Sequence, residues 1–403
     1  MKQNQKSIKV AFHVGELPAT TFINRLAHGL AAAGVQITMY GLIKKKFRKS
    51  AGIRYSGAID DALEGRKSKF YRYIKYGLLL SLFRSDEKRK LNNWLKTKRW
   101  IHWGEKSLLY PILWDRPDII HVQWAKAIDH FGWASHLGIK LIVSFRGAHI
   151  NYSPLSHPKL ADVYKSNFPL VDGFHGVSKA ICKEATKYGA EINKCQVVYS
   201  GFDLEHFPKS YWVDKRNKPI DQPLQIISIG RSHWKKGYQF SLDTMRILKD
   251  INVPFQYTII GAKDNEELQF QRAQLELEKN VTFLGTVAFD KVKQLISEAD
   301  LLLLPSVEEG IANVVLEAMA LGTIVASTNC GGMAEVIEDE VNGFIVPVRE
   351  PQAMADKILK YAKLNVIEKE QIINAAYDKI KQQHSNERMV AGMLHLYKTV
   401  LND

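Results

Sequence analysis

Cysteine is scarce in this chain: Cys182, Cys195 and Cys330 are its only three in 403 residues, far apart and outside any CxxC pattern. A disulfide framework or a zinc site is therefore not expected, and a reducing cytoplasm suits the composition. Long apolar runs are missing too. Tyr76 to Phe83 and Leu301 to Leu304 fall far short of the ~20 residues that span a bilayer. The opening residues, MKQNQKSIKVAFHVG, turn directly into a strand-like run with neither an apolar signal core nor a small-residue cleavage site. Neither a membrane span nor export is expected. No GxGxxG follows Val14 or Gly230, so the dinucleotide fingerprint is missing. No helix-turn-helix, zinc-finger or RNP-like motif accompanies the net charge of +14, and nucleic acid is not an expected partner.

What is present is the composition of a folded protein, 46% hydrophobic and 24% charged, with no low-complexity tract. Its length suggests two domains at ~100–200 residues each. The charge is lopsided. Residues 1–200 hold 33 Lys/Arg against 14 Asp/Glu, a net +19, whereas the remainder holds 23 against 28, a net −5. A basic half beside a mildly acidic half points to an anionic partner that meets the first domain alone.

Apolar runs alternate with helix-period segments from end to end, the pattern of parallel sheets flanked by helices. Strands are expected at 8–14, 35–40, 119–122, 140–145, 173–177 and 196–199, and then at 225–230, 256–261, 281–284, 301–305, 323–327 and 343–346. Thr20 or Thr21 caps the first helix, where Phe22, Leu26 and Leu30 recur four apart, and Gly34 ends it. Residues 208–222, PKSYWVDKRNKPIDQ, mix proline with charge and lack periodicity, as a linker does. The chain thus divides into a first domain at 1–207, the linker, a second domain at 223–383, and a terminal helix at 384–403 able to pack back on the first domain. An insert at 44–114 is basic and aromatic (KKKFRK, RKSKFYRYIKYGLLLSLFR, KRKLNNWLKTKRWIHW) and is expected to be helical. Two doubly wound sheets place ligands beyond the C-terminal strand ends, in a cleft between the domains.

The most informative stretch is PSVEEGIANVVLEAMALGTIVASTNCGGMAEVIEDEVNGFIVP, residues 305–347. A buried strand delivers Glu309 and Gly310 into a loop. Asn313 is the expected cap of a helix carrying Glu317, whose free N–H groups around Ile311 to Val314 form a cradle for phosphate or sugar. Ionised carboxylates only accept hydrogen bonds, and sugar hydroxyls donate them. An acid pair beside a phosphate cradle therefore suits a nucleotide-sugar. Taken singly, Glu309 reads as a solvated loop residue and Glu317 as an acid complementing the helix dipole. The second element, GRSHWKKG at 230–237, projects Arg231 and Lys236 from a strand end, where a diphosphate needs positive charge.

Together these motifs resemble the retaining glycosyltransferases of family four, group 1 type, of the bacterial cell-surface polysaccharide kind. The E-x7-E signature runs from Glu309 to Glu317 and is followed by GGMAEVI and NGFIV; PDIIHVQWA (117–125), VSKAICKEATKYG (177–189) and VVYSGFDLEHF (197–207) match in the first half. The resemblance implies a GT-B fold, two Rossmann-like doubly wound domains facing a central cleft, with the acceptor on the first and the nucleotide-sugar on the second. It implies that Arg231, Lys236, Gly15, Gly310 and Ile311 bind the donor diphosphate, that Glu309 is catalytic and holds the transferred sugar, and that Glu317 binds the ribose. No bound metal or cofactor is implied beyond the substrate, a UDP- or GDP-linked sugar. Retention of the anomeric configuration is implied, with the leaving diphosphate helping to deprotonate the acceptor. The chain departs from the family's His-Gly pair after the strand at 140–145: it reads SFRGAHI, placing Arg146 at the histidine position and His149 three residues on as candidate sugar or acceptor contacts. Glu309→Ala is expected nearly to abolish transfer and to leave the fold intact.

A glycan or lipid-linked acceptor follows from the same resemblance, and the basic aromatic insert suggests a peripheral location on the inner face of the cytoplasmic membrane against an anionic surface. Nucleotide-sugar epimerases share this fold and a similar diphosphate site and are the alternative reading, with a basic nucleic-acid-binding protein behind it.

Overall fold

The computed structural model describes residues 7–60, 64–100, 102–212 and 222–402. They form two units, Met1–Gly201 with Asn386–Asp403 and Phe202–Ser385.

In the first unit the strands are β1 (Lys9–Leu17), β2 (Gln36–Ile43), β3 (Ile53–Ile59), β4 (Ile119–Val122), β5 (Lys140–Phe145), β6 (Gly173–Gly176) and β7 (Cys195–Val197). They form one sheet in the order β3-β2-β1-β4-β5-β6-β7, every neighbouring pair parallel. Alternation along the strands feeds two cores. Val10 and Phe12 face a core shared with α1 (Thr21–Ala32) and the helix Asn386–Asn402, whereas Ala11, Ile120 and Leu141 face another that includes Leu80, Leu91 and Tyr110. A buried chain of hydrogen bonds crosses the sheet: Tyr397 Oη to His121 Nδ1 at 2.7 Å, His121 Nε2 to Ser144 Oγ at 2.8 Å, Ser144 Oγ to His175 Nδ1 at 2.8 Å, and His175 Nε2 to the Val198 carbonyl at 3.0 Å. Burial holds both imidazoles neutral, pushing His175 down to about 3 and His121 well below its ordinary value.

The insert departs from the all-helical expectation. Its first third supplies β3, an edge strand running in register with β2 from Ile37↔Ile53 to Ile43↔Ile59. The segment IRYSGAI has isoleucine at both ends and a tyrosine between them, side chains that fit a pleated edge better than a helix. Helices follow as α2 (Glu64–Phe83), α3 (Ser85–Thr97) and α4 (Trp103–Asp115). Thr20 is the N-cap of α1, but its side chain makes no capping bond, and Ile23, Leu26, Ala27 and Leu30 are the residues that α1 buries.

The second unit has β8 (Leu224–Ile229), β9 (Phe255–Ile260), β10 (Val281–Leu284), β11 (Leu301–Leu304), β12 (Ile324–Thr328) and β13 (Phe344–Val346), in the parallel order β10-β9-β8-β11-β12-β13. All four residues of β11 are buried, as a strand covered on both faces requires. The unit begins at Phe202, five residues before the expected boundary at 207, because Phe202 and Phe207 pack into its core and the Phe202 N–H donates to the His384 carbonyl at 2.6 Å. Most of the expected linker, 213–221, lies outside the described residues. Its first part is docked: Trp212 Nε1 donates to the Ala320 carbonyl at 2.9 Å.

Strand order reverses between β8 and β11 in the second sheet and between β1 and β4 in the first. Each reversal opens a crevice at the carboxyl ends of those strands, the usual ligand position in doubly wound sheets.

Candidate active site

The loops after β8 and β11 meet at the second unit's reversal point. The Val307 N–H donates to the Lys235 carbonyl at 2.7 Å, joining the two loops through their backbones. Gly237, at φ +66°, lets the first loop press on the second, since a Cβ there would collide with the Pro305 carbonyl. Gly331, at φ +55°, does the same from the β12 side, where a Cβ would overlap the Glu309 carbonyl, and the next residue's N–H donates to the Gly310 carbonyl at 2.7 Å. The Glu309 loop is therefore clamped from both sides by backbone.

That clamp sets a charge cluster. Lys236 Nζ lies 2.6 Å from Glu309 Oε1, Lys235 Nζ 3.9 Å from Oε2, and the Ser306 hydroxyl donates to Oε1 at 3.4 Å. Glu309 is only 9% exposed. A carboxylate so enclosed needs its cations, and removing it strands them. The expectation that Glu309→Ala leaves the fold intact assumed a loop carboxylate that contributes little to packing; its enclosure beside Lys236 and Lys235 predicts a cost in stability as well. Lys236 spends one of its three N–H donors on Glu309 and has two more for an incoming oxyanion. Arg231 is exposed and has no carboxylate within ion-pair distance among the described residues.

The helix Asn313–Ala320 starts beside this cluster. Its N-cap is Ala312, not Asn313, and no side chain caps it. Asn313 has already entered the helix, so its amide cannot fold back to satisfy the first turn. The Val315 N–H donates to the Ala312 carbonyl at 3.0 Å, no side chain caps the N–H groups before it, and the dipole favours an anion there. Ile311 packs against the core just before the cap, and Glu317 stands partly buried in the second turn. The structure thus brings Lys236 and Glu309 into direct contact and sets Gly310 and Ile311 between Glu309 and the helix start. Lys235 and Ser306 were missed from sequence, although both stand within three residues of a named site residue.

The first unit's edge holds the other candidates. Gly15 does not end β1 but sits inside it, at φ +76°, where the register with β2 shifts between His13 and Gly15. A bulge of this kind turns the strand's last residues. Arg146, directly after β5, donates from Nη2 to Gln123 Oε1 at 3.0 Å and lies over the Phe22 ring, 4.6 Å from its centroid. Burial pushes its guanidinium down to about 9. His149 packs against Trp124, with ring centroids 5.2 Å apart; burial, then the Lys126 charge, lowers it to about 4. Gln123 and Trp124 were not singled out from sequence; their signal was position, directly after the strand that borders the reversal.

Residues 19–206 match the family described as Glycosyltransferase Family 4, and residues 211–379 match Glycosyl transferases group 1. The chain is 31% identical over 255 residues to the amylovoran biosynthesis glycosyltransferase AmsK of Erwinia amylovora, covering 58% of this chain and 60% of that protein. It is 24% identical over 295 residues to a Campylobacter jejuni N,N'-diacetylbacillosaminyl-diphospho-undecaprenol alpha-1,3-N-acetylgalactosaminyltransferase, covering 71% of this chain and 74% of that one. Among solved structures, Anabaena Alr3699/HepE in complex with UDP-glucose superposes with a TM-score of 0.67 at 17% identity, over 97% of this chain and all of that one, which establishes a shared fold. Each half carries a Rossmann-like parallel sheet of the GT-B kind and each matches its own family in the same order, so the chain belongs to the group 1, family 4 glycosyltransferases.

Proposed function

We propose that the chain moves a hexose-type sugar from a UDP- or GDP-linked donor to a glycan or lipid-linked acceptor, with retention of anomeric configuration and without a metal. The observation that carries this reading is the Lys236–Glu309 pair, enclosed at the second sheet's reversal point beside an uncapped helix start. Arg231, the free donors of Lys236 and the N–H groups near Gly310 and Ile311 receive the diphosphate and steady the negative charge that grows on it as the sugar leaves. Glu309 accepts from hydroxyls of the hexose, and Glu317 from those of the ribose. The acceptor oxygen bonds to the anomeric carbon on the face the diphosphate vacates, and its proton passes to a diphosphate oxygen. Gly15, at the bulge in β1, is the first unit's own candidate for a phosphate contact. The HepE complex with UDP-glucose is consistent with such a donor.

Peripheral attachment at an anionic, cytoplasmic membrane surface completes the proposal. On α2 the side chains of Tyr71, Ile74, Leu78 and Leu82 recur three or four apart and are all exposed, Leu82 at 75% and Leu78 at 60%. Arg66, Lys67 and Lys75 are exposed on the same helix. An apolar stripe with basic residues beside it fits the headgroup region of a bilayer, where undecaprenol-linked sugars such as that named for the Campylobacter relative reside. No described helix is long and apolar enough to cross a membrane.

The test is a thermal-shift screen against nucleotide sugars, in which a ligand at 100 times its dissociation constant adds ~2.7 kcal/mol of stability. It is followed by an assay for nucleoside diphosphate release with and without acceptor. Release that depends on acceptor supports transfer; isomerisation of the donor sugar without acceptor supports an epimerase.

A further inference from the structure

Three buried polar atoms at the carboxyl edge of the first unit's sheet have no hydrogen-bond partner: Arg146 Nε, Gln123 Nε2 and His149 Nδ1. Their geometry is constrained. A guanidinium only donates, so the Gln123 amide must turn its oxygen to Arg146, as the 3.0 Å contact records, and this leaves its NH2 group pointing away with nothing to meet. The Gln123 side chain is fully buried, whereas Arg146 and His149 beside it are only partly buried. Among the described residues no carboxylate pairs with Arg146, and its guanidinium lies over the Phe22 ring. Phe22 in turn stands edge-on to Trp124, at 5.9 Å, and Trp124 against His149, giving the polar atoms an aromatic wall. A sequestered cation and two fixed donors with no acceptor are the complement of an oxyanion.

We propose that Arg146, with Gln123 and His149, forms an anion site that binds an oxyanion carried by a substrate: the carboxylate of a sugar acid or a phosphate of the acceptor. The Arg146 Nε–H and the Gln123 NH2 donate to its oxygens. His149, whose ring carries one donor and one acceptor nitrogen when neutral, takes a proton or turns its N–H toward the bound anion. The site stands on the first unit alone; that its ligand is a glycosyl substrate rests on the transferase reading above.

The full chain is titrated calorimetrically at fixed ionic strength with UDP saturating, so that the second unit's phosphate site is filled. The probes are methyl glucuronide, methyl glucoside and inorganic phosphate. At least one anion should bind tenfold or more tightly than the neutral glucoside, a factor of ten being a 1.4 kcal/mol difference. Arg146→Gln should erase that preference, and Arg146→Lys should keep part of it. Glucuronide ahead of phosphate identifies a sugar acid; phosphate ahead identifies an acceptor phosphate. As an independent readout, the His149 imidazole resonance should titrate at higher pH with the bound anion. The proposal is overturned if anion and glucoside bind alike, if neither binds, or if Arg146→Gln, with unchanged melting temperature and UDP affinity, keeps the preference. Failure of UDP itself to bind would count against the transferase reading, and the probe titrations would still report on the anion site.

Discussion

In the second unit the lysine that follows the first strand sits 2.6 Å from a glutamate, whereas in the first unit Arg146 donates to an amide oxygen and lies over a ring, with no carboxylate paired to it among the described residues. The same contrast runs through the histidines. His13, His121, His149 and His175 all lie in the first unit, and burial is the leading cause that keeps each below its ordinary 6.5: His13 and His175 at about 3, His149 at about 4, His121 well below. One sheet edge arrives with its charges compensated inside the protein. The other holds polar groups neutral or unpaired, so its charge balance is completed from outside. A site of the first kind is already organised for a ligand whose charge is constant, such as a diphosphate; one of the second kind changes most when its ligand arrives.

The largest expected effect is a difference in acid sensitivity between the units. Between pH 6.5 and about 4 the unfolded chain binds protons at these four histidines that the folded first unit excludes. Stability is therefore full above pH 6.5 and falls as the pH drops through that window, by up to ~1.4 kcal/mol per pH unit for each histidine. Hydrogen exchange at pH 5 should show amides of β1, β4, β5 and β6 losing protection before those of β8 and β11. Equal loss in both units would break the comparison.

Glu309→Gln comes next. It keeps the side chain's shape but leaves Lys236 without its charge partner, so transfer should fall roughly 10²–10³-fold, with about 1–3 kcal/mol of stability lost. Steady-state kinetics alongside thermal melts checks both. Near wild-type turnover would mean that the compensated pair has no part in the reaction.

How much of this was legible depends on which force set each feature. Buried parallel strands announce themselves as apolar runs, so β4 and β5 match the sequence expectation to the residue. β3 did not, because an exposed edge strand needs little apolarity and was masked by the basic residues around it. The Glu309 to Glu317 spacing was readable, and its placement between loop and helix held. The cap was not: Ala312 takes that position and Asn313 is already the first residue of the helix. The Lys236–Glu309 contact spans 73 residues and depends on two loops converging, a matter of topology that no local pattern carries. The same holds for Arg146 and Gln123, 23 residues apart.

A smaller effect separates the units at a surface. Serine at Leu78 and Leu82 with glutamine at Arg66, Lys67 and Lys75 removes apolar area and basic charge from α2, each basic residue being worth ~1 kcal/mol near an anionic leaflet. Wild-type protein should float with anionic vesicles at low salt and stay behind with neutral ones, and the variant should not float. Equal recovery with both vesicle types would argue for a soluble acceptor.

The central claim, that the second unit receives a nucleoside diphosphate at the β8 and β11 strand ends, is tested most directly by calorimetry with UDP and GDP on the wild type, Arg231→Ala and Lys236→Ala. Each substitution removes a charge-assisted hydrogen bond of about 1.5–3 kcal/mol, so affinity for the preferred diphosphate should drop by roughly ten- to a hundredfold in either variant. Unchanged affinity in both, with the fold intact, would contradict the account.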